Sequence, residues 1–423
     1  MIAHIRALTA SRGAMTFGVQ MFGMALGAAA QLVLGRMLGP ESYGHYVQGF
    51  ALLAVLGLAA ILGLKTASQR FIPEYQETGN HRGLRGFVRW AILLVLAAGC
   101  GVAVIGNGIL GALIDDPGAR LIARLVLWAV PIYGAMALLG AMLRAFGHPV
   151  LSVALGRPLR EAGVLVTMLG LILVGTPTAA GLLGGMIAAL AVSALISGWM
   201  VRAELARSPG PVGRFEPEWL RRSLPMMAVN LGNQMLRRAD ILMVGALAGS
   251  GAAGIYGICV FLTELLAIPL QTIGILFAPD AARFSARRDM PGLQRYVRRM
   301  ARLSGGFAVI LMLPLLIWAE PLLALVGPDY VAGAPALRIL VIGQVIRAGF
   351  GNVNLLTMMT GAERGAAKVL ALVVALAVAG HVALVPAHGV TGAALATAGA
   401  MTLYAALLAA LAIRKTGIRP GPI

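Results

Sequence analysis

The chain is built of apolar runs about as long as a lipid bilayer is thick, and that repetition limits what it can fold into more than any motif does. A membrane-spanning helix needs about 20 mainly apolar residues. Twelve such segments can be laid along the chain, beginning near Gly13, Tyr46, Phe87, Leu121, Val150, Ala179, Ser223, Gly254, Ala301, Gly333, Ala366 and Gly389. The fifth is the least regular, because Arg157, Arg160 and Glu161 interrupt it. Hydrophobic residues make up 59% of the 423 and charged ones 12%, where soluble domains carry roughly 25% charged. The mean hydropathy of +0.87 therefore excludes most soluble enzymes, nucleic-acid binders and disordered scaffolds. No nucleic-acid partner is expected in spite of the net charge of +18. The first run follows a basic stretch and contains Ala28-Ala29-Ala30, which imitates a cleavage site; with eleven spans behind it, it reads as an uncleaved helix.

The basic residues explain their own abundance through topology. Loops on the cytoplasmic side keep an excess of Arg and Lys, and with twelve spans 27 of the 34 basic residues fall on one side, including Arg6, Lys65, Arg144, Arg221, Arg295 and Lys415. The opposite side holds Arg36, Arg120, Arg124 and Arg338. Both termini are then cytoplasmic.

An internal repeat divides the chain. At an offset of 210, Leu34 to Tyr46 aligns with Val244 to Tyr256, so that Gly35, Gly39, Gly44 and Tyr46 meet Gly245, Gly249, Gly254 and Tyr256. At an offset of 209, Gly83-Leu84 and Val88-Arg89 meet Gly292-Leu293 and Val297-Arg298. Six spans lie between the copies, so the repeats run the same way through the bilayer and are related by an axis along its normal. The expected architecture is all-α and polytopic, with twelve helices in two pseudo-symmetric six-helix lobes: residues 1–201, a linker at 202–222 and residues 223–423. The linker combines Pro209, Pro211 and Pro217 with Phe215, Trp219 and several arginines. It suits either a segment lying in the headgroup layer or an ordinary solvated connection.

Ionisable groups within the membrane are costly and mark routes for substrates or protons. On the seventh span Asn230, Asn233, Gln234, Arg237 and Asp240 fall within about 120° of one another on a helix, and Arg238 borders that stripe. Arg237 and Asp240 are spaced to satisfy each other, which leaves Arg238 to Glu264 on the eighth span or to a ligand. Gln344, Arg347 and Asn354 form a second polar face on the tenth span, where Arg347 has no acid on its own helix. Gln20 and Gln31 share a face of the first span and suit interhelical hydrogen bonds. Arg157, Arg160 and Glu161 are placed to snorkel toward headgroups, and His381 is isolated in the eleventh span.

The chain has no phosphate loop of the GxxxxGK[ST] type, no HExxH and no Cys or His cluster. Cys100 and Cys259 lie in apolar stretches and suit packing. No catalytic residues, cofactor or metal site are expected; the pattern is that of a transporter. Guanidinium forks match phosphate oxygens, so a central cavity lined by Arg237, Arg238 and Arg347 favours a phosphate or diphosphate cargo. Protonation of Glu264 or Asp240 supplies a means of resetting the carrier.

Several weaker motifs occur in order. Leu34-Gly35-Arg36-Met37-Leu38-Gly39-Pro40-Glu41-Ser42-Tyr43-Gly44, Ser68-Gln69-Arg70-Phe71-Ile72-Pro73-Glu74, Arg238-Ala239-Asp240 before Gly254-Ile255-Tyr256, Gly327-Pro328-Asp329-Tyr330, Leu337-Arg338-Ile339-Leu340 and Thr360-Gly361 resemble polysaccharide-biosynthesis oligosaccharide flippases. Those belong to the multidrug/oligosaccharidyl-lipid/polysaccharide (MOP) exporter superfamily. The resemblance runs from about Thr16 to Thr397. It implies a MATE-like fold, alternating access, and transfer of a polyprenyl-diphosphate-linked oligosaccharide from the cytoplasmic to the outer leaflet of a bacterial inner membrane. It also implies membrane lipids, a polysaccharide polymerase and glycosyltransferases as partners, and places Arg36, Lys65, Arg237, Arg238 and Glu264 on or near the cavity, with Asn233, Gln234 and Gln31 as further candidates. A cation-coupled multidrug antiporter and a non-transporting scaffold of a polymerase complex are the alternatives.

Overall fold

The computed structural model describes residues 2–113, 117–175, 177–286, 289–351, 353, 357 and 363–418. Side chains are described in these segments except at 2–14, 110–113, 117, 265–282, 285–286, 363–364 and 416. Asn354 of the expected polar face lies outside them.

The described residues are helical almost throughout: α1 (Ile2–Ala60), α2 (Leu64–Glu77), α3 (His81–Leu113), α4 (Pro117–Ala145), α5 (Pro149–Ala154), α6 (Arg157–Val174), α7 (Ala179–Ala206), α8 (Pro217–Ala286), α9 (Met290–Ile317), α10 (Ala319–Val326), a 3-10 turn (Pro328–Gly333), α11 (Ala334–Gly349) and α12 (Glu363–Thr416). Among the described residues, eight helices are long and apolar enough to cross a membrane. Three of them, α1, α8 and α12, run for 59, 70 and 54 residues, and at 1.5 Å per residue each is more than twice the roughly 30 Å of a hydrocarbon core. Each is broken once by a glycine of positive φ: Gly39 (71°), Gly249 (88°) and Gly389 (54°). Dividing these three at their glycines gives eleven segments among the described residues, and α6, 18 residues with Arg157, Arg160 and Glu161 at its start, is a less apolar twelfth.

The repeat is written into local geometry. Gly39 and Gly249, matched at the offset of 210, share one backbone conformation, with ψ of 171° and 169°. Five residues on, Gly44 and Gly254 pack on one another reciprocally. A Cβ on Gly44 would lie 1.8 Å from the Ser250 carbonyl oxygen, and one on Gly254 would lie 1.9 Å from that of Pro40; Pro40 and Ser250 are themselves matched positions. No side chain fits at either place. The second match holds as well: Asn80 Oδ1 accepts from Gly83 N at 2.8 Å to cap α3, and Asp289 Oδ1 accepts from Gly292 N at 2.8 Å to cap α9.

Contacts group the chain into two compact units, Met1–Leu38 with His45–Gln234, and Gly39–Gly44 with Met235–Ile423. The first unit is cored by Leu64, Phe71, Leu84, Phe87, Leu138, Met142 and Leu143 from α2, α3 and α4. The division falls within α8, and the 202–222 stretch is part of the first unit. Phe215 and Trp219, which composition alone puts against lipid or solvent, are packed on α2 and α3 instead. Trp219 is 1% exposed and donates through Nε1 to the Tyr75 hydroxyl at 2.9 Å. Phe87 stands edge-on to it at 5.5 Å and Phe215 at 5.9 Å. Such pairs contribute about 0.5–1.5 kcal/mol each beyond area burial. Gly213 N donates to Arg82 O at 3.1 Å, and the Arg85 guanidinium donates to the carbonyls of Leu205 and Ser208. Burial raises the Tyr75 phenol above its ordinary pKa.

Candidate functional site

In the second unit, the bend at Gly249 turns α8 back on itself, so residues before it face residues after it. Arg237 and Arg238 precede the bend by twelve and eleven residues, and Glu264 follows it by fifteen. At 1.5 Å per residue both sides are about 20 Å from the turn, a depth inside the hydrocarbon core. Arg237 Nη2 lies 3.3 Å from Glu264 Oε1, and Arg238 Nη2 lies 3.7 Å from Oε2. One carboxylate is thus divided between two guanidinium groups. Arg237 remains 53% exposed and Glu264 37%, so the cluster is open.

Arg347, on α11, is close enough to Arg237 for the two charges to act on each other. Its Nε donates to Gln344 Oε1 at 2.9 Å, which orients the fork without neutralising it. The structure therefore gathers Arg237, Arg238, Arg347 and Glu264 in one unit. Two adjacent like charges, only partly offset, make a site that an anion with several oxygens can bridge.

The expected Arg237–Asp240 pair does not form. Asp240 is 4% exposed; its Oδ1 accepts from Ile241 N at 2.8 Å, and its Oδ2 accepts from the Tyr256 hydroxyl at 3.0 Å. Arg237 has turned to Glu264 because the bend brings a carboxylate into reach on the more open side. Behind Tyr256 stands Thr397, with Oγ1 2.8 Å from the phenol oxygen. His381 Nε2 is 3.2 Å from that Oγ1, and His381 Nδ1 is 2.6 Å from Ala377 O. The sequence isolates His381, whereas the structure joins it to Asp240 through two hydroxyls.

The other candidates belong to the first unit. Gln31, on α1, hydrogen-bonds the buried Tyr46. Tyr46 is the repeat counterpart of Tyr256, so each copy spends this tyrosine on a polar side chain of the helix before it. Arg36 is exposed on α1. Asn233 Nδ2 is spent on Val229 O of its own helix at 2.9 Å, Asn230 Nδ2 donates to Thr66 Oγ1 at 3.1 Å, and Gln234 is half-buried. Lys65 is half-buried just beyond a break in the helix, where Leu62 has the unusual φ of 54°. Its charge feels Arg144 of α4, a residue sequence spacing did not single out. Among the described residues neither makes an ion pair, and Arg144 is held by Ser152 Oγ at 2.6 Å.

Arg157, Arg160 and Glu161 do not behave as a snorkelling group. Glu161 is 2% exposed, pairs closely with Arg160 and lies 3.9 Å from Arg157 Nε. The Arg160 guanidinium caps the Phe50 ring at 4.7 Å. Desolvation makes the pairing compulsory, because a lone buried charge would cost several kcal/mol.

Among the described residues no group of three or more His, Cys, Asp or Glu could hold a metal ion. The sequence matches the family described as polysaccharide biosynthesis protein over residues 11–276 and the MatE family over 225–387. Among curated proteins none matches. The fold is similar to the inward-facing conformation of a multidrug resistance MATE family transporter of the MOP superfamily, with a TM-score of 0.73 at 14% identity over 96% of this chain and 98% of that one. The outward-facing conformation of such a transporter matches with a TM-score of 0.67 at 15% identity over 96% and 95%. A MOP superfamily transporter from Pyrococcus furiosus, described as having a binding pocket of reverse polarity, matches with a TM-score of 0.67 at 14% identity over 96% and 95%. With a family match over more than half its length and this fold, the chain belongs to the polysaccharide biosynthesis protein family and is an integral membrane transporter of the MOP superfamily.

Proposed function

We propose that the protein is a flippase that carries a polyprenyl-diphosphate-linked oligosaccharide from the cytoplasmic to the outer leaflet of a bacterial inner membrane by alternating access. The observation that carries this reading is the arginine cluster in the second unit. Arg237 and Arg238 share Glu264, while Arg347 bonds an amide and has no acid paired with it among the described residues. A cationic drug would be repelled there. A diphosphate would replace Glu264 as the acceptor for Arg237 and bridge it to Arg347, and guanidinium forks suit such oxygens in a way that a lysine ammonium does not.

Outward movement of anionic phosphates is favoured by an inside-negative potential, by roughly 2.3 kcal/mol per charge per 100 mV. The arginine-rich loops and both termini face the cytoplasm in this reading, where glycosyltransferases assemble the cargo; a polymerase receives it outside. Asp240 and Glu264 are the groups whose protonation resets the carrier.

Reconstitution in liposomes with an undecaprenyl-diphosphate-linked glycan, read by accessibility of the sugar in each leaflet, tests the proposal. The wild type is expected to equilibrate the lipid. Arg347→Ala should abolish transfer while leaving folded protein in the membrane, and Arg347→Lys should restore it only in part. Efflux of cationic dyes without transfer of the diphosphate lipid would establish the antiporter instead.

A further inference from the structure

Asp240, Tyr256, Thr397 and His381 make a continuous chain of hydrogen bonds inside the second unit. Two bent helices build it. Asp240 and Tyr256 lie on either side of the Gly249 bend in α8, nine residues before and seven after; His381 and Thr397 each lie eight residues from the Gly389 bend in α12. Asp240 and His381 are 4% and 3% exposed. Beside them is a cavity with room for about one water, walled by Met235, Leu236, Val374 and Val378 and bordered by Asp240, His381 and Thr397.

Counting hydrogens decides what this chain can hold. Ala377 O can only accept, so His381 Nδ1 carries a proton. Three contacts remain between four heavy atoms: Nε2 to Oγ1, Oγ1 to the phenol oxygen, and the phenol oxygen to Oδ2. Each needs one hydrogen, and the two hydroxyls supply two. A third must come from one end or the other. If His381 is an imidazolium, Nε2–H donates to Thr397, Thr397 to Tyr256 and Tyr256 to an ionised Asp240. If the imidazole is neutral, a protonated Asp240 donates to Tyr256, Tyr256 to Thr397 and Thr397 to Nε2. Both arrangements satisfy every contact. With no third hydrogen, or with two, one buried contact is left without a hydrogen or with two facing each other, at a cost of about 1–3 kcal/mol.

We propose that Asp240, Tyr256, Thr397 and His381 form a relay that holds one labile proton, passed between the carboxylate and the imidazole. In the transfer His381 Nε2 gives its proton to Thr397 Oγ1, Thr397 gives its own to the phenol oxygen, and Tyr256 gives its own to Asp240 Oδ2. Three bonds to hydrogen break, three form, and total charge is unchanged. The water-sized cavity is where the proton is exchanged with solvent. Arg238 and the thiol of Cys259 are the other groups whose charge acts on this chain, Arg238 on Asp240 and Cys259 on Tyr256. The relay deepens the transport reading by giving His381 a share, with Asp240, in the coupling proton, and its decisive test is independent of that reading.

The test is nitrogen NMR of His381 in the full-length protein in nanodiscs between pH 5 and 9, with the resonance assigned by its loss in His381→Gln. In the wild type an imidazolium at His381 should occur with an ionised Asp240 and a neutral imidazole with a protonated one, the acid read as the carbonyl stretch of its protonated form in the infrared. In Asp240→Asn the carboxylate that compensates the imidazolium is gone and the amide can donate to Tyr256, so no imidazolium should remain. Thr397→Val retains the shape and removes the middle link; the protonation of His381 should then no longer follow that of Asp240. An imidazolium found together with a protonated Asp240, a neutral imidazole found together with an ionised one, or an imidazolium that persists in Asp240→Asn overturns the relay. If the relay behaves as expected and the liposomes transfer no diphosphate lipid, the flippase reading fails and the relay stands.

Discussion

Each unit holds two arginines against one glutamate, and the two groups have opposite settings. In the first, Arg160 and Glu161 have side chains 18% and 3% exposed, with Arg157 at the edge. In the second, Arg237 and Glu264 are 53% and 37% exposed. Where the carboxylate is enclosed, both arginines lie at its Oε1 and its Oε2 has no hydrogen-bond partner among the described residues, but burial keeps that oxygen out of a ligand's reach. The open carboxylate is stretched between two partners at 3.3 and 3.7 Å, and can be exchanged for another anion. The same two residue types thus make an enclosed strut in one place and, in the flippase reading, a binding surface in the other, and the difference lies in solvent access.

Removing each carboxylate is the sharpest way to test that contrast. Glu161→Gln leaves Arg160 enclosed without a counter-charge, and folded protein should be destabilised by about 3 kcal/mol or more, seen as a large drop in the melting midpoint in detergent. Glu264→Gln should leave that midpoint nearly unchanged. Binding of inorganic diphosphate should instead tighten about fivefold, the scale of one partly screened charge, with release slowed in proportion and the gain lost at high salt. The smallest effect is expected from Arg157→Gln, under about 1 kcal/mol, because Arg157 is 41% exposed and 3.9 Å from Glu161. Equal losses of stability in Glu161→Gln and Glu264→Gln would erase the distinction between the two clusters.

The spans and the repeat were legible in the sequence because their causes are local: apolar length dictates spanning, and the matched Gly39 and Gly249 disclosed the repeat. That the same glycines bend the helices at positive φ, and that Asn80 and Asp289 cap matched helices, emerged only with the backbone. Pairings made across the bends were not legible. Arg237 is three residues from Asp240 and 27 from Glu264, and spacing along one helix favoured the nearer acid; the turn at Gly249 supplied the farther one. His381 is 141 residues from Asp240 and Arg144 is 79 from Lys65, so their partners depend on tertiary packing. Trp219 and Phe215 were ambiguous for another reason: aromatic residues among arginines look alike whether they face lipid or a neighbouring helix.

The shared glutamate has a consequence for turnover. In the flippase reading, Glu264 rests against Arg237 and Arg238 when no cargo is there and serves as a tethered decoy that imitates the ligand's own charge. Loading is then a swap rather than a capture, and so is unloading, since the decoy is always at hand to reclaim its place. A carrier furnished in this way gives up tightness of grip and gains readiness to let go, which suits a protein that must deliver each load and return for the next.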